Sequence, residues 1–457
     1  MDDAFTTDGK VVLCQVCDKK VGCTMKFQLE QHIRSALHNK NKQLRSVKKQ
    51  TLLTHMHKDS SRSEFYKDMC EAMIAANIPW NKLQVPKYRA FLEKYCGRQV
   101  PDESTLRKGY LDACYDHAVE SIKMEIGSSH IWIAVDESTD VLGRYIANLV
   151  VGRLSSDSAS KPYIIASRVL ERTDHATIAR FVNDGLKVLW PGGVQEERVL
   201  LMYTDSAAYM LKAAIALKVF YPHLIHFTCL AHAIHRVAEE VRSHFPQVNE
   251  LVSSAKKVFV KAPLRVQAYQ EQLPHAKLPP QPILTRWGTW INAVNFYSEH
   301  LQAVKTVVDS FPSDSAISVR DTQRILQNPE IACEVAYIKC NFGWIPENIE
   351  KLESVGLSLM ESMDIICDVK NKLSAVRGSV GEKVMKKFKS VLERNPGYGS
   401  LYIVNQILSG QTRDPPKDIA TSHIHLLKYA PVTSCDVERS FSLYKNILSD
   451  RRQNLTP

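Results

Sequence analysis

The amino-acid sequence predicts an α/β protein in which a small Cys/His unit precedes a mixed sheet and a long helical region follows it. Three observations support this fold class. Cysteines and histidines cluster in residues 11–39, short β-branched runs alternate with amphipathic runs in residues 127–240, and residues 240–430 are mostly helical in their periodicity. The chain has 457 residues, of which 44% are hydrophobic, so it can form several packed cores and is not a disordered polymer.

The charge balance and the cysteine content limit the possible functions. Lys and Arg number 59 against 49 Asp and Glu, a basic excess that suits a nucleic-acid partner without establishing one. The first ten residues, MDDAFTTDGK, differ from a secretory or mitochondrial presequence, and no apolar run is long enough for a membrane span. Eleven irregularly spaced cysteines without a secretory signal are typical of reduced thiols, a few of which hold metal. We therefore expect a cytosolic or nuclear protein.

The Cys/His unit has the spacing of a zinc site. Two cysteines separated by two residues are followed, after fourteen residues, by two histidines separated by five: Cys14, Cys17, His32 and His38. Two thiolates on a knuckle and two imidazoles on a following helix suit tetrahedral zinc. Phe27 and Leu29 are predicted to form a minimal core, too small to fold without the metal. Cys23 is an alternative candidate for one ligand position.

The segments LCQVCDKKV and QLEQHIRSALHNKNK resemble the BED-type zinc finger and, more closely, the finger of the CGG-triplet-repeat-binding protein. The resemblance implies that this unit binds DNA. A basic run accompanies it: Lys40, Lys42, Arg45, Lys48 and Lys49. We interpret the run as a phosphate-contacting or nuclear-localisation stretch, and the alternative is an ordinary solvated charge run.

The hydrophobic pattern of the sequence changes near residue 127. The spacing of hydrophobic residues in 64–126 predicts helices, most of which serve to pack against other parts of the protein. The segments that follow have the order β-β-β-α-β-α-β-α: IWIAVDEST, RYIANLVVGRL, YIIASRVLE, TIARFVNDGLKVLW, RVLLMYTD, SAAYMLKAAIALKVFYP, HLIHF and a helix that begins near Cys229. This order predicts a mixed sheet with helices on its faces. The ribonuclease-H-like fold has this order, although a generic α/β domain shares much of it.

Two acidic residues end strand-like runs, Asp136 after IWIAV and Asp205 after LLMYT. Strand ends in open α/β sheets place side chains at a crevice where ligands bind. Two carboxylates that converge there repel each other, and a divalent cation relieves the repulsion. Ligand sets made only of oxygen favour Mg²⁺ or Mn²⁺ over zinc. The alternative is structural, because Asp is common as a turn former or helix N-cap and Asp205 precedes a helix.

The C-terminal segment CDVERSFSLYKNILSDRRQNLTP predicts an amphipathic helix. It carries an apolar stripe at helical spacing: Val437, Phe441, Tyr444 and Leu448. An exposed stripe normally meets a partner surface, so we expect a dimer, with packing inside the chain's own core as the alternative. Glu438 borders the stripe and can reach a buried crevice, and the alternative is a surface glutamate beside Arg439.

Five segments occur in the order found in hAT transposases: AVDESTD, YTDSAAYM, TCLAHAIH, TRW and SCDVERSFS. The resemblance spans roughly residues 64–457. It implies a ribonuclease-H-like core interrupted by a large all-helical insertion, and a catalytic triad that binds Mg²⁺ or Mn²⁺. The triad corresponds to Asp136, Asp205 and Glu438.

The resemblance also implies supporting residues around the triad. The family's Cys-x2-His motif corresponds to Cys229 and His232, which lie one helical turn apart. We interpret them as shaping the active site, and a second zinc site is the alternative. The family's Arg-Trp motif corresponds to Arg286 and Trp287. The family interpretation of Trp287 is a base-stacking residue near a flipped nucleotide, and the alternative is a core aromatic.

These patterns together predict the domain organisation. The predicted regions are a finger at residues 1–45, a basic linker at 46–63, a helical region at 64–126, the first part of the catalytic core at 127–240, a helical insertion at 241–420 and a dimerisation region with the last catalytic helix at 421–457.

The predicted function is that of a nuclear, DNA-binding transposase that cleaves and transfers DNA strands with a divalent metal. Its partners would be double-stranded DNA, as element terminal repeats or derived genomic sites, and a second copy of the chain. The alternative is a domesticated, non-catalytic DNA-binding regulator of transcription or chromatin. The transposase prediction requires Asp136, Asp205 and Glu438 to converge on one crevice.

Overall fold

The computed structural model describes residues 5–7, 12–14, 16–17, 19–21, 26–42, 59–140, 142–282 and 288–447. The chain divides into two compact units, Met1–Ala118 and Val119–Pro457. Several residues of the sequence analysis lie outside the described residues: Cys23, Arg45, Lys48, Lys49, Arg286, Trp287 and Leu448.

The first unit begins with a small antiparallel sheet and two short helices. The strands are β1 (Phe5–Thr7), β2 (Val12–Cys14) and β3 (Lys19–Val21), in the order β1-β2-β3. Helix α1 (Lys26–Arg34) and a helical segment α2 (residues 36–42) follow. Ser35 separates the two helices, and its hydroxyl accepts the His38 N–H at 3.2 Å, which is an N-cap interaction at the start of α2.

The first unit continues with a helical part. Its elements are α3 (Asp59–Ala75), a 3₁₀ segment (Trp80–Gln84), α4 (Pro86–Cys96), α5 (Glu103–Gly109) and α6 (Leu111–Ile126), of which α6 runs into the second unit. Pro86 occupies the first turn of α4, where its missing N–H has no partner to lose. Asp102 caps α5 by accepting the Thr105 N–H at 2.7 Å. A small apolar core holds this part together: Cys70, Met73, Leu83, Val100, Leu106 and Cys114.

A five-stranded mixed sheet is the centre of the second unit. Its strands are β4 (Ile131–Thr139), β5 (Tyr145–Arg153), β6 (Tyr163–Leu170), β7 (Val199–Thr204) and β8 (Ile225–Thr228), and their order is β6-β5-β4-β7-β8. The first three strands pair antiparallel, while β7 is parallel to both β4 and β8. Two helices connect the later strands, α7 (His175–Leu186) and α8 (Ala208–Lys218). The predicted mixed α/β architecture is confirmed.

The two faces of the sheet pack against different partners, because side chains alternate along a strand. Ile131, Ile133 and Val135 of β4 belong to the core that contains α7 and α8. Trp132 and Ala134 belong to the core that contains the long helical region. The alternation therefore directs Asp136 toward the helical region and Glu137 toward α8.

The helical region is long and shares one continuous core with the sheet. Its helices are α9 (Leu230–Ser243), α10 (Pro246–Phe259), α11 (Pro263–Gln272), α12 (Thr289–Asp309), α13 (Ile317–Leu326), α14 (Glu330–Phe342), α15 (Ile345–Leu352), α16 (Leu359–Ala375), α17 (Ser379–Glu393) and α18 (Tyr398–Leu408), then a 3₁₀ segment (Thr421–Tyr429) and α19 (Cys435–Ile447). Among the described helices, none combines the length and apolar character that crossing a bilayer requires.

The chain returns from the helical region to the sheet at two places. At the edge of the sheet, the buried Asn395 side chain donates to the Thr228 carbonyl at 2.7 Å and accepts the Thr228 N–H at 3.0 Å. Gly397 passes so close to β8 that a Cβ there would lie 2.7 Å from the His226 carbonyl oxygen. On the face of the sheet, α19 packs on β4 and β5, where Asn148 donates to the Ser440 hydroxyl at 2.7 Å. These contacts bring α19 to the crevice.

Candidate active site and metal centres

The four predicted ligands of the finger are brought together. Cys14 ends β2, Cys17 lies in the following turn, and the histidines come from α1 and α2. The Nδ1 atom of His38 lies 3.4 Å from Cys14 Sγ, 3.5 Å from Cys17 Sγ and 3.3 Å from His32 Nε2. Tetrahedral zinc with ordinary bond lengths places sulfur and nitrogen ligands about 3.5 Å apart and two nitrogens about 3.3 Å apart. The cluster therefore has the dimensions of a zinc site.

The apolar contribution to this cluster differs from the prediction. The prediction that Phe27 belongs to a minimal core is wrong, because 57% of the Phe27 side chain is exposed. Helix α1 has no buried residue, and Leu29 is only partly buried. Phe5 of β1 takes the place of the predicted core residue, since its ring stacks on His38 with centroids 6.2 Å apart and packs edge-on against His32. The cluster of four potential ligands and this ring contact take the place of an apolar core.

The basic run is described in part. Lys40 and Lys42 are exposed on α2, directly after the ligand His38. Arg45, Lys48 and Lys49 lie outside the described residues.

Asp205 directly follows the last residue of β7, as predicted. The prediction that Asp136 ends its strand is wrong, because β4 continues to Thr139 by pairing with β5. Ala134 pairs with Tyr203, so each aspartate lies two residues beyond a paired position. The Asp136 carboxylate accepts the Glu137 N–H at 2.9 Å, and the Asp205 carboxylate accepts the Ala207 N–H at 3.0 Å. Burial and the neighbouring charge of Asp205 raise the pKa of Asp136 to about 7. Asp205 therefore organises the start of α8, as the structural alternative requires, and also contributes negative charge to the crevice.

Glu438 of α19 lies on the Asp136 side of this crevice, where its carboxylate groups with Cys229 and His232. Among the described residues, no set of ligand atoms within 4.8 Å of one another joins Glu438 to Asp136 and Asp205. The Glu438 carboxylate accepts the Ser434 hydroxyl at 3.0 Å and lies 3.7 Å from His232 Nδ1. Burial raises the pKa of Glu438 to about 9, and the negative charges of Cys229 and Asp136 act in the same direction. The alternative of a solvated surface glutamate beside Arg439 does not describe this position, because Glu438 is partly buried and interacts with residues of α9 and β4.

The apolar stripe of α19 packs inside the chain. Val437 and Phe441 are buried, Tyr444 is partly buried, and Val437 belongs to the core shared by the sheet and the helical region. For the described residues of the stripe, the structure therefore favours the alternative of intramolecular packing.

Cys229 and His232 line the crevice beside Glu438. Cys229 is the N-cap residue of α9, and its sulfur accepts the Ser434 N–H at 3.3 Å. One ligand atom from each of Cys229, His232 and Glu438 lies within 4.8 Å of the others. Although burial acts in the opposite direction, hydrogen bonds from Cys435 and the charge of His232 hold the pKa of Cys229 well below its usual value. Burial likewise opposes the shift at His232, yet the Cys229 thiolate raises the pKa of His232 to about 9.

Two further groups at this site were missed in the sequence analysis. Glu137 lies on the opposite face of β4, where the Tyr209 hydroxyl donates to its carboxylate and its Oε2 atom is buried without a hydrogen-bond partner. Burial, Asp136 and Asp205 raise the pKa of Glu137 to about 8. Cys435 is the other group. The spacing Cys435-x2-Glu438 repeats the spacing Cys229-x2-His232, a signal in the sequence that could have identified it.

Comparisons with known proteins cover parts of the chain. A protein-family profile described as "Domain of unknown function (DUF659)" matches residues 101–258. This segment contains Asp136, Asp205, Cys229 and His232, and it excludes the finger and Glu438.

The chain is also similar to two proteins named CGG triplet repeat-binding protein 1. The Mus musculus protein is 27% identical over 121 residues, and the Homo sapiens protein is 29% identical over the same length. Each alignment covers 24% of this chain and 72% of the relative.

Proposed function

We propose that this protein is a DNA-binding transposase of the hAT type, with a ribonuclease-H-like core that cleaves and joins DNA strands with Mg²⁺ or Mn²⁺. The observation that carries the proposal is the position of Glu438, which comes from the far end of a long helical region to the crevice of Asp136 and Asp205. The strand order β6-β5-β4-β7-β8 and the DUF659 match on residues 101–258 are compatible with it.

The crevice has the donor chemistry for a hard divalent cation. Asp136 and Asp205 each lie two residues beyond the last paired position of β4 and β7, and Glu438 adds a carboxylate near Asp136. Burial, and after it the neighbouring negative charges, raises the pKa of Asp136 and of Glu438, and a bound cation would stabilise the ionised forms of both. A bound Mg²⁺ or Mn²⁺ would supply Lewis-acid activation of a water or 3′-hydroxyl and stabilise the leaving oxygen.

The protein's own residues position the carboxylates for this role. The Glu137 and Ala207 N–H groups each hold one oxygen of an aspartate, which leaves the other oxygen of each carboxylate available. Ser434 and His232 fix Glu438 between α9 and α19. Such positioning lowers the cost of ordering the site when substrate binds.

DNA binding is assigned to the finger and the basic run beside it. The Cys/His cluster fits zinc, Lys40 and Lys42 are exposed next to it, and the two relatives are named for binding a CGG triplet repeat. The proposal includes double-stranded DNA as the partner and the nucleus as the location. It also includes the domain boundaries predicted from the sequence. Self-association, expected from the family resemblance, belongs to it as well, although the α19 stripe does not support it.

The second candidate function is a non-catalytic DNA-binding regulator. The similarity to two proteins named for binding a CGG triplet repeat favours it, over the 24% of this chain that each alignment covers. In this case the finger would act without the crevice.

A cleavage assay with matched variants separates the two functions. The full chain is incubated with labelled duplexes that carry candidate element ends, in Mg²⁺ or Mn²⁺, and nicks and hairpins are measured beside duplex binding. Glu438→Gln and Asp136→Asn should lower cleavage at least about 100-fold, because metal-held charge stabilisation contributes several kcal/mol. Asp436→Asn, on the same helix and paired with Arg439, is the control that should cleave normally. Duplex binding with no cleavage by the wild-type protein in either metal would assign the regulator function.

A further inference from the structure

A mixed set of sulfur, nitrogen and oxygen donors lies beside the carboxylate crevice. Cys229 and His232 come from the N-terminus of α9, and Glu438 comes from α19. One ligand atom of each lies within 4.8 Å of the other two, and His232 Nδ1 is 3.7 Å from Glu438 Oε1. This set differs in kind from the aspartates next to it, which offer oxygen alone.

The donor chemistry selects the class of metal. Thiolate and imidazole ligands favour zinc and similar transition metals, whereas Mg²⁺ takes oxygen ligands. Three protein ligands with a fourth place open to water are an arrangement that zinc adopts in proteins. Cys229, His232 and Glu438 supply one ligand of each type that zinc accepts.

The surroundings of these three residues have the features of an outer shell of a metal site. The Ser434 N–H donates to Cys229 Sγ at 3.3 Å, and the Ser434 hydroxyl donates to Glu438 Oε1 at 3.0 Å. Ser434 therefore holds two of the three ligands with one residue. Cys435, the next residue along the chain from Ser434, is buried near Cys229. Such partners fix the orientation of ligands and balance the charge of a thiolate.

We propose that Cys229, His232 and Glu438 form a second zinc site, separate from the finger, with water in the fourth position. Its regulatory consequence rests on the proposed catalytic function, because Glu438 belongs to both sets. Zinc at this site would take Glu438 away from the aspartates, so zinc and Mg²⁺ compete for one carboxylate. The site would thereby make the crevice inactive in the presence of excess zinc.

Metal counting on the full chain tests the site independently of catalysis. Metal-depleted protein is titrated with Zn²⁺ and measured by elemental analysis, and with Co²⁺ measured by its thiolate absorption. The wild-type protein should bind two ions per chain, and Cys14→Ser should bind one. Cys229→Ser should also bind one, while Cys367→Ser, an exposed cysteine of α16, should retain two. One ion per wild-type chain, or two in Cys229→Ser, would overturn the site.

A milder variant covers the case in which Cys229→Ser fails to fold. Glu438→Gln keeps the shape of the side chain and should lower the affinity for the second Co²⁺ at least tenfold, with an unchanged circular dichroism spectrum. An unchanged affinity in this folded variant would remove Glu438 from the site. This measurement stands even if Cys229→Ser is recovered only as aggregate.

The competition has its own readout. In Mg²⁺-dependent cleavage, the Zn²⁺ concentration that halves the rate should rise at least tenfold in Cys229→Ser relative to wild type, each normalised to its own zinc-free rate. Equal inhibition of both proteins would overturn the competition while leaving the metal count standing. A correct metal count without any cleavage would contradict the proposed function and not the zinc site.

Discussion

The two clusters of metal-ligand residues are built in opposite ways. The finger takes its ligands from residues 14–38, and its helix α1 has no buried side chain. The crevice takes its residues from β4, the end of β7, α9 and α19, which rest on a core that runs through the sheet and the helical region. In the finger the metal would create the fold, whereas in the crevice the fold creates the metal site.

This difference also determines the electrostatics of the two clusters. The finger brings together two thiols and two imidazoles beside the contact between the Phe5 and His38 rings. A bound ion would therefore supply most of the stability of the finger. In the crevice, burial and then neighbouring negative charge disfavour the ionised forms of Asp136 and Glu438, and the large core compensates for that cost. A metal-free finger should therefore unfold, and a metal-free crevice should persist.

Removal of a finger ligand should have the largest effect. Cys14→Ser removes one of four ligands from a segment with almost no core, so we expect this segment to unfold completely and to lose DNA binding. Zinc content and proteolysis of residues 1–45 measure the loss, and Cys96→Ser, an exposed cysteine of the same unit, is the control. A folded finger in the zinc-free variant would contradict the claim that the metal is needed for the finger to fold.

The second-largest effect should come from removing a contact that attaches the helical region to the edge of the sheet. Asn395→Ala removes both side-chain partners of the Thr228 backbone, so the buried N–H and carbonyl lose their hydrogen bonds. We expect the free energy of unfolding to fall by about 2–4 kcal/mol. Denaturant unfolding measures it, with the exposed Asn371→Ala as a control that should change little. An effect as small as that of the control would mean that the helical region is attached by other contacts.

Acid should weaken the sheet beneath the crevice through His226. The Thr204 hydroxyl donates to the Asp205 carbonyl, so His226 Nε2–H donates to Thr204 at 2.8 Å, and burial lowers the pKa of His226 to about 4. The unfolded chain then binds more protons between about pH 6.5 and 4, so stability is present above this window and is lost as pH falls through it. We expect His226 to contribute a loss of about 2 kcal/mol from neutral pH to about pH 5, opposite in sign to the contribution of the carboxyl groups with raised pKa, Asp136, Glu137 and Glu438.

The same unfolding measurement on His226→Gln checks this assignment. The variant should lose most of that pH dependence, because glutamine places a neutral donor near Thr204. The exposed His275→Gln should keep the dependence of the wild-type protein. Identical pH profiles for His226→Gln and the wild type would assign the acid sensitivity to other groups.

The smallest predicted change in stability is an increase, in contrast to the losses predicted above. Glu438→Gln removes a carboxyl group that the crevice destabilises, so the metal-free variant should be about 1–2 kcal/mol more stable than the wild type while losing activity. Thermal and denaturant unfolding in a chelator measure this change, with the exposed Glu393→Gln as control. A marked loss of stability would show that Glu438 is a structural residue.

The sequence predicted the elements whose signal is local. The spacing from Cys14 to His38 identified the zinc cluster, and the order of strand-like and helical runs identified the mixed sheet. A strand end marked Asp205 correctly, whereas β4 continues past Asp136 because its pairing with β5 extends to Thr139. The approach of Glu438 to Asp136 followed from a family resemblance, since no local pattern specifies where a distant helix returns.

The remaining features depend on tertiary contacts. Phe5 replaces Phe27 beside the finger histidines because pairing of β1 with β2 brings its ring there, which spacing along α1 does not show. The α19 stripe packs inward because the sheet offers an apolar face, and an amphipathic pattern is the same for an internal and an external partner. Ser434 contacts both Cys229 and Glu438 because α9 and α19 meet there, and the sequence alone does not show that these two helices are neighbours.

The pairing of Asn395 with Thr228 also sets an order of events during synthesis. Asn395 follows Thr228 by 167 residues, so β8 leaves the ribosome long before the side chain that closes its edge. At about 5–20 residues per second, this edge stays unpaired for roughly 10–30 s. An open strand edge is a template for aggregation, so the nascent sheet needs chaperone protection for that interval. The crevice matures later still, because Glu438 is made after Asn395, and a ribosome-bound chain therefore carries its Cys/His cluster well before Glu438.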